Sequence, residues 1–376
     1  MQDSLGVIDM DVHPALSRDF LDVAEPYLDR SRHRRLMAKS TMSGYSILAT
    51  SRFPPEFPIN QVTAASPEGA PPGSDPVWFA KDLLDRHGVA LALLVPLIHT
   101  RLPFIPLADD GTALSRAFND FFIDEWLPTD PRYRLLIGVN PRDPAAAADE
   151  VRRIGQHDGV VGILMTTTDI NWGMRHYDPL YDVAQEYQLP IVAHVHGQDG
   201  ESPGSSNLPG GPATFSAQRN SLYSTIAMAN IASLVFDGAF MRFPTLKFAF
   251  LEYGFSWAPS LMWKLDARWK EFRPDTPWVK RPPSEYIIDR VRLSTQPVDQ
   301  PQTKAHLQQI LEMCHADRTL MFSSDYPHFD SDLPRRTMRM FTDSLQQRVF
   351  RENALESFPR LGTVSGAAAS TASPAR

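Results

Sequence analysis

Four stretches of this 376-residue chain carry side chains that bind divalent metals. They are Asp9-Met10-Asp11-Val12-His13, His194-Val195-His196, Glu252-Tyr253-Gly254 and Ser324-Asp325-Tyr326-Pro327-His328. Neutral imidazole and carboxylate are the usual donors to zinc, manganese and iron(II). Carboxylates brought together repel and raise one another's pKa unless a cation neutralises them. A cation held this way can activate water or polarise a substrate carboxylate. The candidate donors are Asp11, His13, His194, Glu252 and Asp325. His196, His328 and Asp9 are candidates for a second metal or for support behind the first.

Such residues act together only if the fold brings them together, and the apolar pattern says how. Short apolar runs cover residues 6–12, 90–96, 134–139, 160–165, 190–195, 246–252, 290–295 and 319–324. They are continuous rather than alternating, as strands of a parallel sheet covered on both faces should be. Amphipathic helical stretches follow them, at 77–87, 114–127, 144–156, 179–188, 219–238, 257–269, 304–315 and 333–344. Eight strand–helix units predict an α/β chain folded as a closed (β/α)₈ TIM barrel. An open doubly wound sheet would place a glycine-rich phosphate turn after its first strand, where Asp11-Val12-His13-Pro14 stands instead.

Reactive groups of such barrels come from the C-terminal strand ends. All four stretches close a predicted strand or follow it directly. Side chains alternate along a strand, so Asp9, Asp11 and His13 are expected on one face, toward the barrel mouth. The same alternation puts His194 and His196 together.

One domain is expected over residues 1–361, with a large insertion at about 15–75 after the first strand. Prolines crowd residues 53–76 and suit a long excursion. Residues 362–376 are small and polar and are expected to be disordered. The net charge of −7 argues against a general nucleic-acid binder. The basic run from Arg30 to Arg35 is expected to be a solvated or salt-bridged helix face. A single cysteine, Cys314, excludes an internal disulfide. No apolar stretch approaches the roughly 20 residues of a membrane span, and no secretory leader is visible. A cytoplasmic enzyme acting on a small molecule is the expectation. Phe53, Phe57, Trp78 and Trp172 are candidate pocket aromatics, and Arg52, Arg101 and Arg219 are candidate carboxylate anchors.

The motifs, in this order and spacing, resemble the amidohydrolase superfamily, in its aminocarboxymuconate-semialdehyde decarboxylase-like and resorcylate decarboxylase-like branch. The match rests on 9–13, on Leu189-Pro190-Ile191-Val192-Ala193-His194 and on Phe322-Ser323-Ser324-Asp325-Tyr326-Pro327-His328. The resemblance implies that Asp11, His13 and His194 ligate one divalent metal (zinc, manganese or iron). It also implies that Asp325 serves as both ligand and acid/base, in hydrolysis or non-oxidative decarboxylation of a small carboxylated molecule. Assembly as a homodimer, or with a homologous subunit, is a further expectation. Relatives commonly carry histidine then glycine after the sixth strand, whereas this chain has Glu252-Tyr253-Gly254. Glu252 adds a carboxylate that can ligate or bridge, giving donors for two metals. No lysine ends the fourth strand, where Met165-Thr166-Thr167 stands, so a carbamylated-lysine bridge is absent. The alternative is therefore a dinuclear iron or iron/manganese oxygenase with Glu252 as extra or bridging ligand. A lesser one is a non-catalytic partner of a catalytic homologue.

Overall fold

A computed structural model describes residues 5–42, 59–196, 199–200 and 204–362. Its centre is one sheet of eight strands in sequence order. The strands are β1 (Val7–Val12), β2 (Val89–Leu94), β3 (Tyr133–Val139), β4 (Val160–Met165), β5 (Ile191–His194), β6 (Phe248–Leu251), β7 (Val291–Ser294) and β8 (Leu320–Met321). Every neighbouring pair is parallel. The ring is completed where the chain after β8 meets β1. There Met10 N donates to Phe322 O at 3.0 Å, Asp325 N to Asp11 O at 3.0 Å and His13 N to Tyr326 O at 2.8 Å. The predicted TIM barrel is the observed fold.

The continuous apolar runs are explained by two cores. Ile8, Met10, Leu93, Leu136, Leu164, Val192, Leu251 and Met321 meet in a cluster that also holds Ala354, Phe358 and Leu361. Contacts among seven strands of a ring can only be made inside it. Phe358 closes the N-terminal end, since a Cβ on Gly162, near the start of β4, would lie 3.2 Å from its ring. The opposite strand faces pack on the helices in a larger cluster. Trp172 belongs there, fully buried and 5.3 Å from the Phe250 ring, so this candidate pocket aromatic packs in the outer core.

Two features aim the site. The β1–β2 pairing runs Asp9↔Ala92 then Val12↔Leu94, so β1 carries one extra residue between them. Such a bulge breaks strict alternation. The insertion after β1 straps the mouth beyond β8. Asn60 bridges His328 antiparallel, Gln61 N donates to Pro327 O at 2.8 Å, and Phe329 N donates to Ile59 O at 2.7 Å. The basic run begins helix Arg30–Met42, where Arg35 bonds the buried carboxylate of Asp110. Arg52, Phe53, Phe57 and the tail from 363 lie outside the described residues. Among those described, no helix is long and apolar enough to cross a membrane.

Candidate metal centre

The ends of β1 and β5 and the segment after β8 bring Asp11, His13, His194 and Asp325 together. One potential ligand atom from each lies within 4.8 Å of all the others, and all four residues are buried. His13 Nε2 is 2.8 Å from Asp325 Oδ1 and 3.5 Å from Asp11 Oδ1. His194 Nε2 is 3.4 Å from Asp11 Oδ2 and 3.1 Å from Glu252 Oε2.

The far nitrogens of both rings are engaged. His13 Nδ1 lies 3.0 Å from the carbonyl of Val95, and His194 Nδ1 lies 2.6 Å from that of Val195. A carbonyl only accepts, so each Nδ1 carries a proton and each neutral ring turns its Nε2 lone pair to the cluster. Lone pair then faces carboxylate, which is repulsive unless the rings protonate or a cation lies between them. Both Asp11 oxygens and His194 Nε2 also lack a hydrogen-bond partner among the described residues. Buried carboxylate oxygens are rarely left so. The donor set fits a divalent cation.

The electrostatics say the same. Burial opposes a charge on His194, yet Asp11 and Glu252 push its pKa well above the ordinary value. Burial would raise Asp325, but His328 and the hydrogen bonds from His13 and His328 hold its carboxyl down to about 2. Glu252 moves upward, through burial and the nearby charge of Asp325. The group holds surplus negative charge and draws in positive charge from wherever it can.

Glu252 and His328 form a second donor set with His13 and Asp325, again within 4.8 Å. His328 Nδ1 is 2.6 Å from Asp325 Oδ1, and its ring stacks on His13 with centroids 4.5 Å apart. Glu252 and Asp325 are two of four non-glycine residues with positive φ among the described residues, at +64° and +62°. This strained region costs about 1–3 kcal/mol at each, and here it turns two carboxylates inward at the chain's exit from β6 and beyond β8.

Asp9 and His196 lie outside both donor sets. The bulge turns Asp9 toward backbone, where its Oδ1 accepts from Ser324 N at 2.9 Å and Asp11 N at 3.3 Å. Burial lifts its pKa to about 7 against those bonds. It therefore braces the two segments that carry Asp11 and Asp325. His196 Nε2 lies 3.0 Å from Asp199 Oδ1, a partner that no spacing rule indicated, and its ring is 5.3 Å from Phe104. Sequence reasoning also missed Gln296, whose Nε2 donates to Asp325 Oδ2 at 3.2 Å. Its signal was present, because Ser294-Thr295-Gln296 is a polar run at the end of a predicted strand.

A closed (β/α)₈ barrel with a carboxylate–imidazole centre at its C-terminal mouth defines a broad class of enzyme scaffold. Within that class, an amidohydrolase family model matches residues 8–360, and the chain belongs to that family. It is similar to a gamma-resorcylate decarboxylase of Rhodococcus jostii, 24% identical over 261 residues, which cover 65% of this chain and 75% of that protein. Among solved structures it resembles a dihydroxybenzoic acid decarboxylase of a Polaromonas species, bound to manganese and 2-nitroresorcinol. The TM-score is 0.65 at 18% identity, over 94% of this chain and 97% of that one. A 5-carboxyvanillate decarboxylase of Sphingomonas paucimobilis matches with a TM-score of 0.65 at 19% identity, over 95% and 99%.

Proposed function

We propose that this chain is a divalent-metal-dependent decarboxylase that removes the carboxyl group of a small aromatic acid without oxidation. The observation that carries the reading is Asp325. Its Oδ1 meets His13 Nε2 at 2.8 Å and His328 Nδ1 at 2.6 Å, beside the unpartnered carboxylate of Asp11. The resorcylate, dihydroxybenzoate and carboxyvanillate decarboxylases to which the chain is similar support an aromatic acid as substrate.

A divalent cation held by Asp11, His13, His194 and Asp325 would supply the positive charge that binds the substrate's carboxylate and offsets negative charge building on the ring. Manganese in three of the similar structures makes it the first metal to load. Asp325, ionised at rest, receives a proton relayed from His328 through Oδ1 and passes it to the ring carbon as the bond to the carboxyl breaks. The bonding pair stays on the ring to meet that proton, and the carboxyl leaves as carbon dioxide. His328, bonded to Oδ1 with 8% of its side chain exposed, is the group that restores the proton from solvent. Gln296 holds Asp325 through Oδ2. Hydrolysis would use the same groups, and the mass of the product separates the two.

The test is carbon dioxide release from 2,6-dihydroxybenzoate and 5-carboxyvanillate by the manganese-loaded full chain without oxygen. Release that stops in Asp325→Asn is expected. No release from either acid, with metal bound, would sink the reading.

The second donor set favours one other reading, a dinuclear iron or iron/manganese oxygenase with Glu252 as extra ligand. Metal counting on wild type and Glu252→Ala separates the two. One metal per chain, unchanged in the variant, keeps Glu252 off the metal and fits decarboxylation. About two metals, falling to about one, together with an oxygen requirement, would fit oxygen chemistry instead. Activity of this chain alone would remove a non-catalytic partner role.

A further inference from the structure

Gln296 is 1% exposed and sits just past β7, between the strand ends that carry Glu252 and Asp325. Its backbone is fixed on both sides. Gln296 N donates to Ser323 Oγ at 3.0 Å, and Ser294 Oγ donates to Gln296 O at 2.9 Å. The same Ser294 oxygen accepts from Glu252 N at 2.8 Å. The side chain has one engaged end, because Nε2 donates to Asp325 Oδ2 at 3.2 Å. The other end, Oε1, is buried with no hydrogen-bond partner among the described residues.

The amide cannot turn round to relieve this. Exchanging its ends would set Oε1 against a carboxylate oxygen, acceptor against acceptor. Leaving a buried carbonyl unpaired costs about 1–3 kcal/mol, so a retained orphan calls for a donor from elsewhere. Asp11, Glu252 and Asp325 are acceptors when ionised, and the Nδ1 protons of His13 and His194 are taken by Val95 and Val195. None of these supplies the missing donor, and a group on the ligand can. Because Nε2 and Oε1 share one carbon, that group must lie next to the substrate atom that Asp325 serves.

We propose that Gln296 is a specificity-determining residue whose Oε1 accepts a hydrogen bond from a ring hydroxyl beside the carbon that Asp325 protonates. This rests on the decarboxylase reading for its chemistry, but the contact can be tested without turnover. A site built to bond a hydroxyl rejects the analogue that lacks it, because its own buried acceptor is left unpaired.

The probes are 2-nitroresorcinol and nitrobenzene, bound to the manganese-loaded full chain and followed by titration calorimetry. Wild type is expected to bind the diphenol at least tenfold more tightly. In Gln296→Met, which keeps the volume and removes both polar ends, that preference falls about tenfold, the worth of one hydrogen bond. Nitrobenzene affinity stays within about threefold of wild type. Manganese content and melting temperature report on folding. If the methionine variant does not fold, Gln296→Asn withdraws the amide by one methylene and is expected to shift the preference the same way. An unchanged preference in a folded, manganese-replete variant would overturn the proposal, as would a wild type that binds both probes equally or neither. Parallel decarboxylation assays keep the two ideas apart. A preference that depends on Gln296 without carbon dioxide release fails the activity and keeps the contact. Release with an unchanged preference does the reverse.

Discussion

The two ends of the barrel use buried polar groups in opposite ways. At the C-terminal mouth, Asp11, His13, His194 and Asp325 are crowded acceptors, with both Asp11 oxygens unpartnered and φ positive at Glu252 and Asp325. At the N-terminal end the charges are cationic and largely bonded to backbone. Arg292 is 5% exposed, with Nε on Ser357 Oγ at 2.6 Å and Nη1 on the carbonyls of Ile288 and Val291 at 3.1 and 2.8 Å. Arg134 likewise caps the carbonyls of Pro131 and Tyr133 at 2.8 and 2.7 Å. Phe358 and Leu361 fill the space beside them. One end keeps unmet bonding capacity, which a ligand can complete. The other meets most of its own capacity and holds the ring together. This is the division expected of such barrels, function at the C-terminal face and stability at the other.

That division can be broken at either end, and the largest effect should come at the mouth. Asp325→Asn should lower turnover by about 10³-fold or more, since both an acid/base and a charge for the metal are lost. Its metal-free melting temperature should fall, because the amide loses the charge that His328 and His13 stabilise. Turnover that survives the substitution would remove Asp325 from the chemistry. Chelation is the next largest test. A metal that binds only the folded chain stabilises it by about 2.7 kcal/mol at a hundredfold excess over its dissociation constant. Removing it should therefore lower the melting temperature of wild type and leave that of Asp11→Asn nearly unmoved.

At the opposite end, Arg292→Met should cost about 1–3 kcal/mol of stability, because Ser357 and two carbonyls lose their donor. Metal content and turnover should stay within about twofold of wild type. A large change in either would erase the contrast between the ends. The smallest effect concerns a group outside both of these bonding networks. His99 is fully buried with both ring nitrogens unpartnered, and burial drives its pKa down from the ordinary 6.5 to about 3. It is neutral in the fold but takes up a proton when unfolded below pH 6.5. Its stabilisation is complete above that pH and is lost as pH falls toward 3. His99→Leu should flatten denaturant-midpoint curves across that window, and an unchanged slope would mean that other groups set the acid limit.

The sequence by itself determined the ring and most of its reactive equipment. Continuous apolar runs separated by amphipathic stretches leave a two-sided parallel sheet as the way to bury both strand faces, and eight of them close it. The donors could be read because they follow those runs directly, where a barrel exposes its chemistry. Strict alternation misled at Asp9, where one extra residue in β1 turned a carboxylate from the mouth to the backbone of Ser324, and at His196, which does not join His194 in the cluster. Tertiary structure alone decided the distances. His13 and Asp325 are 312 residues apart in the chain and 2.8 Å apart in space. Val95 and Val195 fix both imidazoles through carbonyls, which every residue has and no motif records. His196 turned to Asp199, and Gln296 reached Asp325, because of where neighbouring strand ends meet around the ring. Local pattern selects which face and which end a side chain occupies. Which atoms touch follows from the register, bulges and closure of the sheet, set by packing over the whole molecule.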